Sequence, residues 1–316
     1  MTGRVIETDG LVRVFRQRRR PDFRAVDGIS LRVDAGEAVG YIGPNGAGKS
    51  TTIKMLTGIL VPTAGTVRVC GLDPVRQRRA LSRRLGVVFG QRSQLWWDLP
   101  LRASFELLRA IHQVPPAAYR ERLAHHVELL DLAPLLDLPV RQLSLGQRMR
   151  GEVTAALLHA PELLVLDEPT IGLDLVSKER LRRFLADLNA AGTTLLLTTH
   201  DLPDVERLCR RLVVVDHGHV LVDGPLDELR RRFSGTRELV VELGAPAPAD
   251  RLAGLAGVDS VRVEAGGLRQ RLTFRSDSTS ATALIAAVAE RVTVRDLAVA
   301  EPAIEDVVRQ LYGEHG

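Results

Sequence analysis

The sequence predicts an α/β core that carries an antiparallel N-terminal sheet and an α-helical insertion, with a small α+β unit at its C-terminal end. Three observations predict it. A glycine-rich loop, Gly43-Pro44-Asn45-Gly46-Ala47-Gly48-Lys49-Ser50-Thr51, joins an apolar run at 37–42 to a helix-forming run at 51–59. A second apolar run, Leu163-Leu164-Val165-Leu166, ends in two adjacent carboxylates, Asp167 and Glu168. Beyond about residue 236 the pattern becomes βαββαβ, the split ferredoxin-like order.

Residues 1 to 42 read as antiparallel strands at 5–8, 11–15 and 25–33, with a basic turn at 16–21 and a second turn at 34–37. Phe15 is a candidate to stack on a purine ring, since every base offers a π-face; the competing roles are an ordinary core aromatic and Phe23 as the stacking ring. In the loop, glycines let the backbone close on a ligand. Successive N–H groups then form an anion cradle, and the helix N-terminus adds its dipole. The full G-x-x-x-x-G-K-[ST] pattern stands in the strand–loop–helix setting it requires. It assigns Lys49 to the β- and γ-phosphates of a nucleotide, the Ser50 hydroxyl to Mg²⁺ and Thr51 to the α-phosphate.

A turn at 62–66, a strand at 67–70, a basic helix at about 75–84 and a buried strand at 85–89 follow. Gln91 stands just past that strand, where open α/β sheets hold their ligands, so it is a candidate to face the nucleotide as a catalytic residue and a Mg²⁺ ligand. Residues 92 to 160 are leucine-rich, with helices expected at 104–111 and 117–130 and punctuation by proline. Trp96 and Trp97 open this insertion. Adjacent aromatics do not easily face one core, so either one lines an exposed groove for a partner or both are buried locally. Ser144 and Gln147 form a capping box for a helix at 145–159. The same open N-terminus is suited to a phosphate.

Asp167 and Glu168 end a buried strand. In a nucleotide site Asp167 supports Mg²⁺ through its water shell, and Glu168 orients and polarises the attacking water. Asp174 lies in the next loop, before a helix at 177–190 and a strand at 194–198. His200 stands beyond that strand, pointing at the γ-phosphate region, and strands at 213–215 and 220–222 close the sheet as a hairpin. The second unit reads as strands at 237–242, 259–264, 268–275 and 293–299, helices at 248–256 and 279–291, and a last helix at 303–311. It carries no catalytic constellation and reads as an accessory or regulatory module, or a dimer contact. The expected division is 1–230 and 236–316, with the helical insertion at about 92–160 and a linker near 230–236.

Composition narrows the class. Three lysines, Lys49, Lys54 and Lys178, stand against forty arginines, so lysine at 49 is a specific choice: a compact ammonium fits a loop interior that a guanidinium fork does not. No apolar run is long enough to cross a bilayer, and Met1-Thr2-Gly3-Arg4 starts no signal core, so a soluble cytoplasmic chain is expected. Cys70 and Cys209 are too few for a disulfide framework or metal site. The net charge of +4 comes with short arginine clusters at 18–20, 78–79, 83–84 and 230–232 that lack aromatic interleaving, so no nucleic-acid partner is expected.

The ordered set of loop 43–51, Gln91, 143–147, 163–168, Asp174 and His200 resembles the ATP-binding-cassette (ABC) ATPases over roughly residues 1 to 225, with closer similarity to subunits of drug or multidrug exporters. Pro302 to Val308 looks like the ending of that group's accessory domain. The resemblance implies a head-to-tail dimer around two ATPs, each meeting 43–51 of one chain and Ser144, Gly146 and Gln147 of the other. It implies that Gln91 links nucleotide state to a permease groove and that Asp174 bridges the two sites. The chain would then be a peripheral ATPase on the cytoplasmic face of a membrane, driving a separate permease. The alternative is a soluble ABC ATPase acting on nucleic acid or ribosomes. Two departures stand out. Leu145 replaces the usual glycine, so its side chain must point away from the phosphate or the contact from the second chain weakens. Phe15 stands where tyrosine is common.

Overall fold

Each strand that carries a motif ends at one level of a parallel sheet, and the packing around that sheet explains the rest. The computed structural model describes residues 3–16, 21–90, 92–233, 236–275 and 278–300, with helical positions 304, 308 and 311. The chain divides into Met1–Gly224 and Pro225–Gly316.

The first unit opens with β1 (Arg4–Phe15), β2 (Phe23–Ile29), β3 (Arg32–Asp34), β4 (Ala38–Ile42), α1 (Lys49–Leu56), β5 (Ala64–Val69), α2 (Arg78–Leu81) and β6 (Leu85–Phe89). The insertion contributes α3 (Leu101–His112), α4 (Pro116–Leu129) and α5 (Leu145–Leu157). Then come β7 (Leu163–Asp167), α6 (Leu175–Ala190), β8 (Thr194–Thr198), α7 (Leu202–Leu208), β9 (Arg211–Asp216) and β10 (His219–Pro225).

β1 is one bulged strand, not two. Its C-terminal half pairs with β2, its N-terminal half with β3, and β5 also pairs with it. The alternating stretch 25–33 divides because it changes place along β1. Thr8 stitches the break: its hydroxyl donates to Ile29 O at 3.0 Å and accepts from Leu31 N at 2.8 Å. The central sheet has the order β10-β9-β4-β8-β7-β6, so the 213–222 pair does close one edge. Its inner strands are almost wholly buried and mostly apolar, as strands covered on both faces are. A shared core joins Ile6, Val26, Tyr41, Ile53, Val165 and Val213.

The basic helix expected at 75–84 shrinks to four residues. The Asp73 carboxylate accepts from the N–H groups of Val75 and Arg76, both at 2.9 Å, and holds that segment in a turn. Helix α3 starts three residues early, because Pro100 ends in an extended conformation and Leu101 is buried with Phe105 and Leu108. Trp96 and Trp97 are 37% and 51% exposed, so the pair is not buried locally, and the Arg148 guanidinium lies 5.4 Å over the Trp97 ring.

The second unit contains α8 (Leu226–Phe233), β11 (Thr236–Leu243), α9 (Asp250–Ala253), β12 (Val258–Glu264), β13 (Arg269–Arg275), α10 (Ala281–Arg291) and β14 (Val294–Ala300). Its sheet is antiparallel in the order β12-β13-β11-β14, the ferredoxin-like arrangement expected. Leu239, Val241, Leu272 and Phe274 pack beneath Leu252, Leu284 and Val288. The expected helix at 248–256 is only four residues long. Of the expected helix at 303–311, Ile304, Val308 and Leu311 are helical and buried; its other residues, like 17–20 of the basic turn and 234–235 of the junction, lie outside the described residues.

Two imidazoles are buried inside the first unit. His126 meets the Phe184 ring edge-on at 5.5 Å, and His159 stacks on His112 at 4.1 Å. Burial pushes both down to about 4, helped by His125 and Arg122 at His126 and by His112 at His159. A folded-state value below the ordinary 6.5 means the unfolded chain takes up the proton first. That stability is whole above pH 6.5 and is lost as pH falls towards 4. His126→Leu should therefore flatten the fall in urea-unfolding free energy between pH 6.5 and 4.5, by about 2 kcal/mol; an unchanged slope would remove His126 as its source.

Candidate functional site

Helix α1 leaves the glycine loop without a side-chain cap and without an acidic residue in its first turn. Its N-cap is Gly48 at φ +97°, where a Cβ would strike the Ala25 carbonyl oxygen, so only glycine fits. The first N–H groups of α1 thus face outward, with the positive end of the helix dipole, as an anion site requires.

Three neighbouring strands deliver the remaining groups in register. Phe89 of β6 pairs with Asp167 of β7, and Asp167 pairs with Thr198 of β8. The loop, Asp167, Glu168 and His200 therefore line one cleft of about 730 Å³, with Lys54, Arg92 and Phe23. The Lys49 ammonium donates to the carbonyls of Gly43 at 2.5 Å and Pro44 at 3.1 Å. Burial lowers its pKa, opposed by the carboxylates of Glu168 and Asp167. Glu168 Oε2 and His200 Nδ1 are 2.9 Å apart. Thr198 donates its hydroxyl to Asp167 at 2.5 Å and lends its carbonyl to Glu168 N at 2.9 Å. Sequence reasoning did not single out Thr198; its place at the end of the strand before His200 was the available signal.

Phe15 is not among the residues lining the cleft; the aromatic residues that are comprise Phe89 and Phe23, the latter 50% exposed. Phe15 and Phe23 are direct partners across β1 and β2, and the Phe15 ring carries the Arg13 guanidinium at 4.7 Å. Gln91 lies outside the described residues.

A second group gathers apart from the cleft. Ser144 and Gln147 make both halves of the capping box, at 2.9 and 3.2 Å. Asp174 caps α6, accepting from the Ser177 N–H at 2.9 Å and its hydroxyl at 2.7 Å, which holds the carboxyl below the usual carboxylate range. The two loops interlock. A Cβ on Gly146 would lie 2.8 Å from Leu173, and one on Gly172 would run into the Leu145 side chain. Leu145 is therefore seated on Gly172, which has φ +71°. Within one chain Ser144, Gly146, Gln147 and Asp174 are not among the residues lining the cleft around Lys49.

Comparison with known proteins follows the same division. The family described as "ABC transporter" matches residues 26–171, and the family described as "ATP-binding protein DrrA1-3-like, C-terminal domain" matches 224–312. The daunorubicin resistance ATP-binding protein DrrA3 of Streptomyces coeruleorubidus is 36% identical over 301 residues, 94% of each chain. The Nod factor export ATP-binding protein I of Ralstonia nicotianae is 37% identical over 83% of this chain and 79% of its own. A solved dimeric bacterial ABC transporter cassette is 25% identical with a TM-score of 0.63, covering 70% of this chain and 98% of that one.

The interlock has a consequence for stability. Gly172→Ala should cost about 1–3 kcal/mol in chemical unfolding, since it adds backbone strain to a clash. Leu145→Ala placed in the same chain should recover part of that loss; an equal loss with either residue at 145 would show that Leu145 is not what the new methyl meets.

Proposed function

The chain belongs to the ATP-binding subunits of ABC transporters, of the drug-exporter type, and from that premise we propose how its residues divide the work of binding and hydrolysing ATP. The family's activity is ATP hydrolysis. The observation that carries the division is the split site. The uncapped N-terminus of α1 shares one cleft with Asp167, Glu168 and His200, while the second helix N-terminus, capped by Ser144 and Gln147, is not among the residues lining it.

The N–H groups of Gly46 to Thr51 and the Lys49 ammonium bind the phosphates, and Phe23 carries the adenine ring. Lys49 gives up its two loop carbonyls for phosphate oxygens; a partly desolvated ammonium is then a strong electrostatic partner for the γ-phosphate. The hydroxyl of Ser50 and the carboxylate of Asp167 are hard oxygen donors at the mouth of the same loop. They fit a Mg²⁺ ion that keeps several waters and takes phosphate oxygens. That ion would neutralise charge on the transferring group. Glu168 orients and polarises the attacking water, and the 2.9 Å contact to His200 keeps its carboxylate aimed.

A second copy completes the site. Its Ser144, Gly146 and Gln147 bring the uncommitted N–H groups of α5 to the γ-phosphate from the opposite side, and its Asp174 bridges towards Lys49. Gln91 belongs in this reading as the polar residue between the nucleotide and the helical insertion. The similarity to a dimeric cassette supports that arrangement. The two-chain clamp drives a separate membrane-spanning permease, in keeping with the export named for one relative. Among the described residues no helix is long and apolar enough to cross a membrane, so the span comes from that partner, and the chain works at the membrane's cytoplasmic face. The second unit, with charged ladders such as Glu264–Arg271–Glu238 and no nucleotide loop, acts as an accessory module.

Glu168→Gln should bind ATP as the unaltered chain does, lose about 10²–10⁴-fold in turnover, and elute as a dimer with Mg·ATP. Lys49→Met should fail to bind ATP at all. Turnover near wild type in Glu168→Gln, or a monomer at saturating ATP, would sink this assignment.

A further inference from the structure

Glu168 holds a backbone conformation that its side chain disfavours, with φ +55°. Such a conformation persists only where the surroundings over-determine it. Its own N–H is tied to Thr198 O at 2.9 Å. Two residues later, the Thr170 hydroxyl donates to the Asp204 carboxylate, and both groups are buried. Asp204 is wholly buried and is gripped by the Arg182 guanidinium, with Nε to Oδ1 at 2.6 Å.

The segment after His200 ends on the same helix face. Lys178 Nζ donates to Asp201 at 2.5 Å, and the Arg182 guanidinium stands 3.7 Å from the same carboxylate. Asp201 also donates its N–H to the Thr199 hydroxyl at 2.9 Å, closing the turn that presents His200. Lys178 and Arg182 are one turn apart on α6, the helix whose N-cap is Asp174. One rigid element therefore fixes the loop after Glu168 and the turn after His200.

We propose that Lys178 and Arg182 are positioning residues for hydrolysis: through Asp201 and through Asp204 with Thr170, they hold Glu168 and His200 at their working separation. This rests on the roles given above to Glu168 and His200, and it adds a part for two cations that do not line the cleft. The pair Lys178–Asp201 is about a quarter exposed on each side, so it is dispensable for folding in a way that buried Arg182–Asp204 is not. A misplacement of the general base by a fraction of an ångström is enough to slow the step without touching nucleotide affinity.

The test measures phosphate release by the full chain with Mg·ATP for Lys178→Met, Asp201→Asn, their double, and Lys178→Arg. Each of the first two should lower kcat by roughly ten- to a hundredfold, with KM for ATP unchanged. The double should lose no more than the worse single, because both remove one contact, and Lys178→Arg should recover part of the rate. Lys178→Met placed in a Glu168→Gln chain should still form the ATP-trapped dimer. Losses that multiply in the double, a KM that rises as kcat falls, or wild-type kcat in both singles would each overturn the proposal. The two levels of failure separate cleanly. If Glu168→Gln itself turns over ATP, the site assignment fails and this inference with it. If Glu168→Gln is inactive while Lys178→Met and Asp201→Asn match wild type, only this inference fails.

Discussion

An α-helix that begins without a cap leaves donors pointing at nothing in its own chain, and such donors must be offset by a ligand or by water. Helix α1 begins that way, on a glycine whose left-handed backbone no other residue could replace without striking Ala25. The parallel sheet sets what meets those donors. Because β6, β7 and β8 run in one direction and in register, the residues that follow them emerge at one level. A shift of one residue in β7 would turn Asp167 away from the cleft and put an apolar side chain there. The site is thus a property of strand register as much as of the motifs.

The second helix N-terminus has a different solution. Helix α5 is capped by its own Ser144 and Gln147, which use one backbone donor on each side and leave those of Leu145 and Gly146. A leucine at 145 would obstruct a ligand if it lay across the helix end. It is folded down onto Gly172, and Leu173 in turn lies on Gly146. Two small-for-large exchanges make one surface of what the chain writes as two distant loops. The bulk of Leu145 is absorbed by the loop that carries Asp174, so the two elements pack against each other.

The fold was legible wherever the signal was local. The glycine loop, the acid pair, the capping box and the alternation in the second unit are each contiguous, and each is found at its expected place. What sequence could not supply were choices made by tertiary contact. Nothing local distinguishes a split 5–15 from a continuous bulged β1, because the partners that bridge it, β2, β3 and β5, are remote. The basic stretch at 75–84 has good helix formers, yet one carboxylate at 73 keeps its start in a turn. Phe15 and Phe23 are direct partners across the sheet, yet of the two only Phe23 lines the cleft, and the Phe15 ring carries the Arg13 guanidinium. The left-handed backbone at Glu168 has no sequence signature, since glutamate does not advertise it.

The arginine bias gives a last line of argument. A chain that writes forty of its forty-three basic residues as arginine keeps lysine at three positions, and all three bear on the same cleft. Lys49 and Lys54 line it, and Lys178 holds the turn beside His200. At Lys49 the reason is steric. The Lys49 ammonium sits between two loop carbonyls, and that of Lys178 makes a single contact at 2.5 Å. A planar fork needs room for two donors side by side and would push its partners apart. At Asp204, where two donors do have room, the chain uses Arg182. At Lys49 and Arg182 the choice between lysine and arginine follows the room around the acceptor, which charge alone would not distinguish.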